Sequence, residues 1–260
     1  MISSNNSAIH TVASRGARQR AVADVKRAHV LAAARTAFFE LGLDGASMRE
    51  IARRAGYTPG AIYSYFASKE EIYGALLGES LERLNAGVAR ALPPAGAGLG
   101  ARAGAGAKAY ADAGALLVAA ATAFFDFFRE NPRDLDLGFY LFQGMRPRGL
   151  TPALNERLNA RLRDALAPAA NALLALGFDA AAAQAETTAL FAHSVGLLVL
   201  SHTGRIRMFR QESRALFGHY VEALLARAPA AAARPEPKSR ADARANARAD
   251  ATVTAGKASP

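Results

Sequence analysis

The chain has 260 residues, with 32 Lys and Arg against 22 Asp and Glu, and it contains no cysteine and no tryptophan. A hydrophobic share of 51% supplies a core and excludes wholesale disorder. The missing thiols exclude disulfides, thiolate metal sites, iron–sulfur clusters and a cysteine nucleophile. The net charge of +10 suggests a polyanionic partner. That charge is spread evenly, +3, +4 and +3 over residues 1–79, 80–228 and 229–260, so it marks no binding face by itself.

Residues 1–24 are polar, carry Arg15, Arg18 and Arg20, and lack the apolar run of a secretory leader; they are expected to form a disordered basic arm. From about Val25 a helix is expected, with Leu31, Ala34, Phe38 and Leu41 as its apolar stripe and Gly42 as its stop. Ser47 and Glu50 form an S-x-x-E capping box ahead of a short helix whose inner face is Met48, Ile51, Ala52 and Ala55. Gly56 ends that helix. Thr58 then caps another, with Pro59 at the first helical position, where a missing N–H costs nothing. Ile62 and Phe66 point inward from it. Ser68 caps a fourth helix that runs through Ile72 and Leu76 to about Leu92.

Pro93-Pro94 and the Gly/Ala-rich stretch after it predict a flexible loop over 93–107. Helices are then expected from Lys108 to Asn131, from Arg133 to about Gly144, and from Pro152 to Leu176 with a bend at Pro168. The segment Asp179–Ser201 is apolar on nearly all sides in its second half, which requires cover on more than one side. A last helix is expected over Gln211–Arg227, followed by a disordered tail at 229–260. With no strand alternation anywhere, the fold class is all-α. The runs Ala115–Phe128 and Ala189–Leu200 are shorter than the ~20 residues of a membrane span, and each contains a polar interruption, Asp126 or His193.

The segment Ser47–Phe66, SMREIARRAGYTPGAIYSYF, has the layout of a helix-turn-helix. Small residues, Ala52 and Gly56, stand where two helices and a turn approach closely. Pro59, Gly60, Ala61 and Ser64 leave the second helix small and neutral on its outer side, so its backbone can approach base edges. Tyr63 and Tyr65 offer hydroxyls to phosphates. Arg49, Arg53 and Arg54 lie on or near the outer side of the first helix, and Lys69 joins a cation to the positive end of the next helix.

Residues 25–80, and above all AFFELGLDGASMREIARRAGYTPGAIYSYFASKEEI, resemble the N-terminal DNA-binding domain of the TetR family of transcriptional regulators. GLLVLSHTGRIRMF, at 196–209, looks like the C-terminal domains of some members. The resemblance implies a DNA-binding domain at 25–84 and an effector-binding and dimerisation domain at 85–228. It implies that Ser47 reaches a phosphate, that Thr58, Pro59, Gly60, Ala61 and Ser64 approach bases, and that Tyr63, Tyr65 and Lys69 hold the DNA backbone. One departure matters: these base-facing positions lack Arg, Lys, Asn and Gln, so bidentate base readout is scarce.

The resulting expectation is a homodimer, built on the last two helices, that binds a palindromic operator in double-stranded DNA and is released by a small apolar effector. The aromatics Phe124, Phe128, Phe139, Phe142 and Phe191 are the candidate effector-cavity residues, weighed against an ordinary core role. A regulator without a small-molecule effector, gated by a protein partner, is the alternative. No catalytic motif, metal-ligand spacing or cofactor cradle occurs; His193, His202 and His219 lack chelating spacing. The expected compartment is the cytoplasm.

Overall fold

The computed structural model describes residues 5–93, 106–139 and 150–229, with side chains from residue 17 in the first segment and 108 in the second. Among them lie nine α-helices and one 3-10 turn, and no strand. The expected loop residues 94–105, the helix end at 140–144 and the tail from 230 fall outside the described residues.

Helix α1 runs Asn5–Gly45 and is broken at Gly42, whose φ of 72° is left-handed. The expected stop is therefore present as a change of direction. The expected disordered arm is corrected: the chain is already helical from Asn5. No proline interrupts residues 5–41, and a helix already nucleated by a packed segment extends more cheaply than a new one starts, through Ala17, Arg18, Gln19, Arg20 and Ala21 in particular. That packed segment holds Val30, Leu31, Ala34, Ala37 and Phe38, all buried, whereas Val22 and Val25 are exposed. Leu41, expected in the stripe, is also exposed, since the break at Gly42 ends the buried face one turn earlier.

Helix α2 (Met48–Ala55) packs on α1, and α3 (Pro59–Tyr63) packs on α2. Helix α4 (Lys69–Ala91) then leaves this head and enters the rest of the molecule, packing on α1 at one side and on α5 (Gly106–Glu130) and α7 (Pro152–Ala175) at the other. α5 is the central helix. Its buried residues Ala113, Leu117, Ala120, Ala121, Phe124, Phe125 and Phe128 recur at helical spacing, so one face is continuously apolar. Residues Lys108–Glu130 are long and apolar enough to cross a membrane by length and composition, but here that face is the core of the bundle.

α6 (Pro132–Phe139) turns back toward α4, where the Tyr73 hydroxyl donates to the carbonyl of Leu137 and Arg83 pairs with Asp134 at 2.5 Å. α7 continues through Pro168, forgoing one backbone hydrogen bond, and ends at Gly177 with φ 93°. α8 (Ala180–His202) and α9 (Ser213–Ala226) follow, joined by a 3-10 turn at Arg205–Phe209 that the sequence pattern did not suggest. Phe217 of α9 stacks on Phe125 of α5, centroids 4.4 Å apart and planes within 8°. Such a pair adds about 0.5–1.5 kcal/mol beyond the burial of the two rings.

Candidate nucleic-acid interface

The geometry of α2 begins at Ser47, whose Oγ accepts a hydrogen bond from the Glu50 N–H at 3.1 Å. Only this half of the expected capping box forms. The Glu50 carboxylate instead accepts from Arg53 at 2.7 and 2.9 Å and from Arg54 at 2.6 Å. These guanidinium bonds hold its pKa down at about 2 and raise those of both arginines. Arg54 also reaches Glu40 of α1 at 2.6 Å, so the pair fastens α2 to α1. Both cations are thus committed within the protein. Arg49 is exposed and makes no hydrogen bond or ion pair with the described residues.

Gly56 ends α2 with φ 70°, and its N–H together with that of Tyr57 returns to carbonyls of the last turn. An L side chain is strained at that angle, so the tight turn requires glycine. Thr58 accepts from the Ala61 N–H at 3.3 Å and starts α3. Ile62 is fully buried and Phe66 nearly so, which fixes the rotation of the short helix. Its other side faces out. Thr58, Pro59, Gly60, Tyr63 and Ser64 are exposed, while Ala61 and Tyr65 are half-buried. A Cβ built on Gly60 meets nothing within 4 Å, so the peptide backbone itself is open to close approach there. The Ser64 hydroxyl donates to the Ala61 carbonyl at 2.7 Å, leaving only acceptor capacity for a ligand.

Lys69, expected at the DNA backbone, makes its bonds within the chain here. Its ammonium donates to the Leu43 carbonyl at 2.8 Å and lies 3.5 Å from that of Asp44. It thus caps backbone groups left open at the end of α1 and ties α4 to the α1–α2 joint. Sequence reasoning passed over two residues that support the site. Arg27 lies 4.2 Å over the Phe66 ring, fixing α1 against the end of α3, and His29 meets Tyr57 edge-on at 5.8 Å. An arginine one turn before a buried stripe was the available signal for the first.

The expected effector residues come together, but as a packed cluster. Phe124 and Phe128 are buried, and edge-on or tilted ring contacts of 5.3–5.9 Å link Phe124, Phe128, Phe139 and Phe191. Phe142 lies outside the described residues. A cavity of about 690 Å³ is found elsewhere, between α1, α4 and α6, and it includes none of these phenylalanines.

Two short helices crossing over a small-residue turn, the second presenting a neutral, backbone-accessible outer side, define a helix-turn-helix DNA-binding domain. Residues 30–76 match the family model for bacterial regulatory proteins of the tetR family. The activator FasR of Mycolicibacterium smegmatis is 41% identical over 69 residues, 26% of this chain and 32% of that protein. The regulator TtgR of Pseudomonas putida is 39% identical over 74 residues, 28% and 35% of the two chains. The match thus spans about a third of the length of these curated relatives. In fold the similarity runs further. A tetR-family regulatory protein from Rhodococcus covers 78% of this chain and 96% of its own, with TM-score 0.57 and 22% identity. FadR of Bacillus subtilis, solved with stearoyl-CoA, covers 76% and 96%, with TM-score 0.53 and 18% identity. The similarity to the TetR family thus lies in the N-terminal domain, and over the rest of the chain it is a likeness of fold.

Proposed function

We propose that this protein is a sequence-specific, DNA-binding transcriptional regulator that acts in the cytoplasm as a homodimer on a palindromic operator. The observation that carries the proposal is the outer side of α3, where Thr58, Pro59, Gly60, Tyr63 and Ser64 face solvent while Ile62 alone is buried. A rod of that kind enters a major groove by its N-terminal end, and two of them serve half-sites one turn apart, about 34–36 Å. With no long polar side chain on the base-facing positions, specificity comes from backbone approach, methyl contacts and DNA shape.

Dimerisation through α8 and α9 is supported by what those helices leave uncovered. Ala185, Ala189, Ala192 and Gly196 form an exposed row of small residues along α8, and Gly218 and His219 are exposed on α9. Small residues let a second pair of helices approach closely and form a four-helix contact across a two-fold axis. We place the boundary between the DNA-binding and C-terminal domains near residue 84, within α4.

We further propose that the protein represses by occupying its operator and is released by a small apolar effector held among the helices of residues 107–200. FadR, solved with stearoyl-CoA, supports an apolar ligand in a protein of this fold. A second reading, a regulator without a small-molecule effector and gated by a protein partner, is favoured by the ring-on-ring packing of Phe124, Phe128, Phe139 and Phe191. The test is selection of bound duplexes from a random pool, then a ligand panel against the selected site. Enrichment of a two-fold palindrome supports the regulator. Failure to enrich any sequence overturns it. Release by no apolar compound transfers support to the second reading.

A further inference from the structure

The cavity between the head and the body is lined by three aromatic rings, Phe38, Phe39 and Tyr73, with Leu43 and Leu137 beside them. Its volume, about 690 Å³, falls in the ~300–1,000 Å³ range of small-molecule sites. Charged groups surround these rings, and nearly all are matched. Arg35 pairs with Glu79 at 3.0 Å, Arg83 with Asp134 at 2.5 Å, Glu40 with Arg54 at 2.6 Å and Glu130 with Arg129 at 2.9 Å. Asp136 is engaged within the protein as well. Arg133 is the exception. Its guanidinium lies 4.3 Å over the ring of Phe39, and no carboxylate among the described residues pairs with it. Phe39 itself is 53% exposed. The cavity therefore combines apolar ring surface with one cation whose charge is unmatched, at the mouth rather than the floor.

We propose that this cavity is a binding site for a small aromatic carboxylate. The ring of the ligand packs among Phe38, Phe39 and Tyr73, and its carboxylate accepts the two-pronged donation of Arg133. A cation would find its carboxylates already neutralised, and a wholly apolar guest would leave Arg133 as it stands. The site is separate from the phenylalanine cluster of α5 and α8, and it does not depend on that cluster holding an effector. Because Phe38 and Phe39 belong to α1 and Arg133 to α6, an occupant touches both the head and the body.

The experiment uses the full chain and naphthalene-2-carboxylate, read by fluorescence titration and calorimetry, with naphthalene-2-carboxamide as the uncharged control. The native protein binds one carboxylate per chain saturably. Arg133→Gln, at an exposed position that leaves the fold intact, weakens the acid about tenfold or more and leaves the amide unchanged. Phe39→Ala weakens both. Absence of saturable binding overturns the proposal, and so does native affinity in both variants. Equal loss of acid and amide in Arg133→Gln overturns the assignment of a carboxylate.

Discussion

Replacing Gly60 by glutamate separates folding from DNA binding more cleanly than any other change in the head. The position is exposed, its φ is not left-handed, and a Cβ there meets nothing within 4 Å. Glycine inside a helix costs about 0.5–1 kcal/mol relative to alanine, so a side chain stabilises α3, and a carboxylate in a first helical turn adds a few tenths more. The folded state therefore gains. In a groove the same carboxylate faces phosphates. At ~8 Å and an effective dielectric of ~20, one such pair costs about 2 kcal/mol. On the proposed pair of half-sites this doubles to about 4 kcal/mol, a loss of roughly a thousandfold in affinity. Fluorescence anisotropy with the selected duplex measures the binding, and thermal unfolding measures the fold. The expected result is a midpoint at or above that of the native chain, with binding reduced about a thousandfold. A well-folded Gly60→Glu protein that binds its operator with native affinity would refute the placement of α3 against DNA.

Lys69→Ala removes a charged donor from the Leu43 carbonyl and is expected to lower stability by about 1.5–3 kcal/mol in chemical denaturation. The salt dependence of DNA binding should stay unaltered in that variant; a fall of about 1 in its slope would mean that the ammonium leaves the carbonyls for a phosphate. Arg49→Ala, at an exposed cation without a partner among the described residues, should lower that slope by about 1 across all sequences and leave stability unchanged, as read by titrations from low to high salt. Glu50→Gln frees Arg53, leaves Arg54 to Glu40, and removes a carboxylate whose pKa is lowered from 4.5 to about 2. A depressed carboxylate stabilises the fold above its unfolded pKa and loses that contribution as pH falls through the folded one. The native-minus-variant difference in unfolding free energy should therefore be constant near neutrality and vanish between about pH 4.5 and about pH 2, by denaturation at a series of pH values.

The head was legible because local chemistry determines it. Ser47, Gly56, Thr58 and Ser68 cap or end helices through short-range bonds that the sequence spells out, and Ile62 with Phe66 sets the rotation of α3. The body was legible as helices but not as a site. Helical spacing shows that Phe124 and Phe128 face inward, yet nothing in it distinguishes a ring that lines a space from a ring that meets another ring. The partners of Lys69 and Glu50 were likewise out of reach. A lysine at a helix start serves a phosphate or a carbonyl equally well, and the choice depends on where residues 43 and 44 lie in space. The helical course of residues 5–24 was missed because polarity was taken for disorder, although a polar helix needs only a packed segment from which to grow.

The family match runs from residue 30 to residue 76 and so stops inside α4, which continues unbroken to Ala91. The junction between a shared reading head and a divergent body is therefore a continuous helix and not a pliable linker. Any chimera that splices a new body onto this head must preserve helical register across the seam. One inserted residue would swing the body by about 100° and lift it by about 1.5 Å. The placing of the head on its body is thus written into the residue count of a single helix.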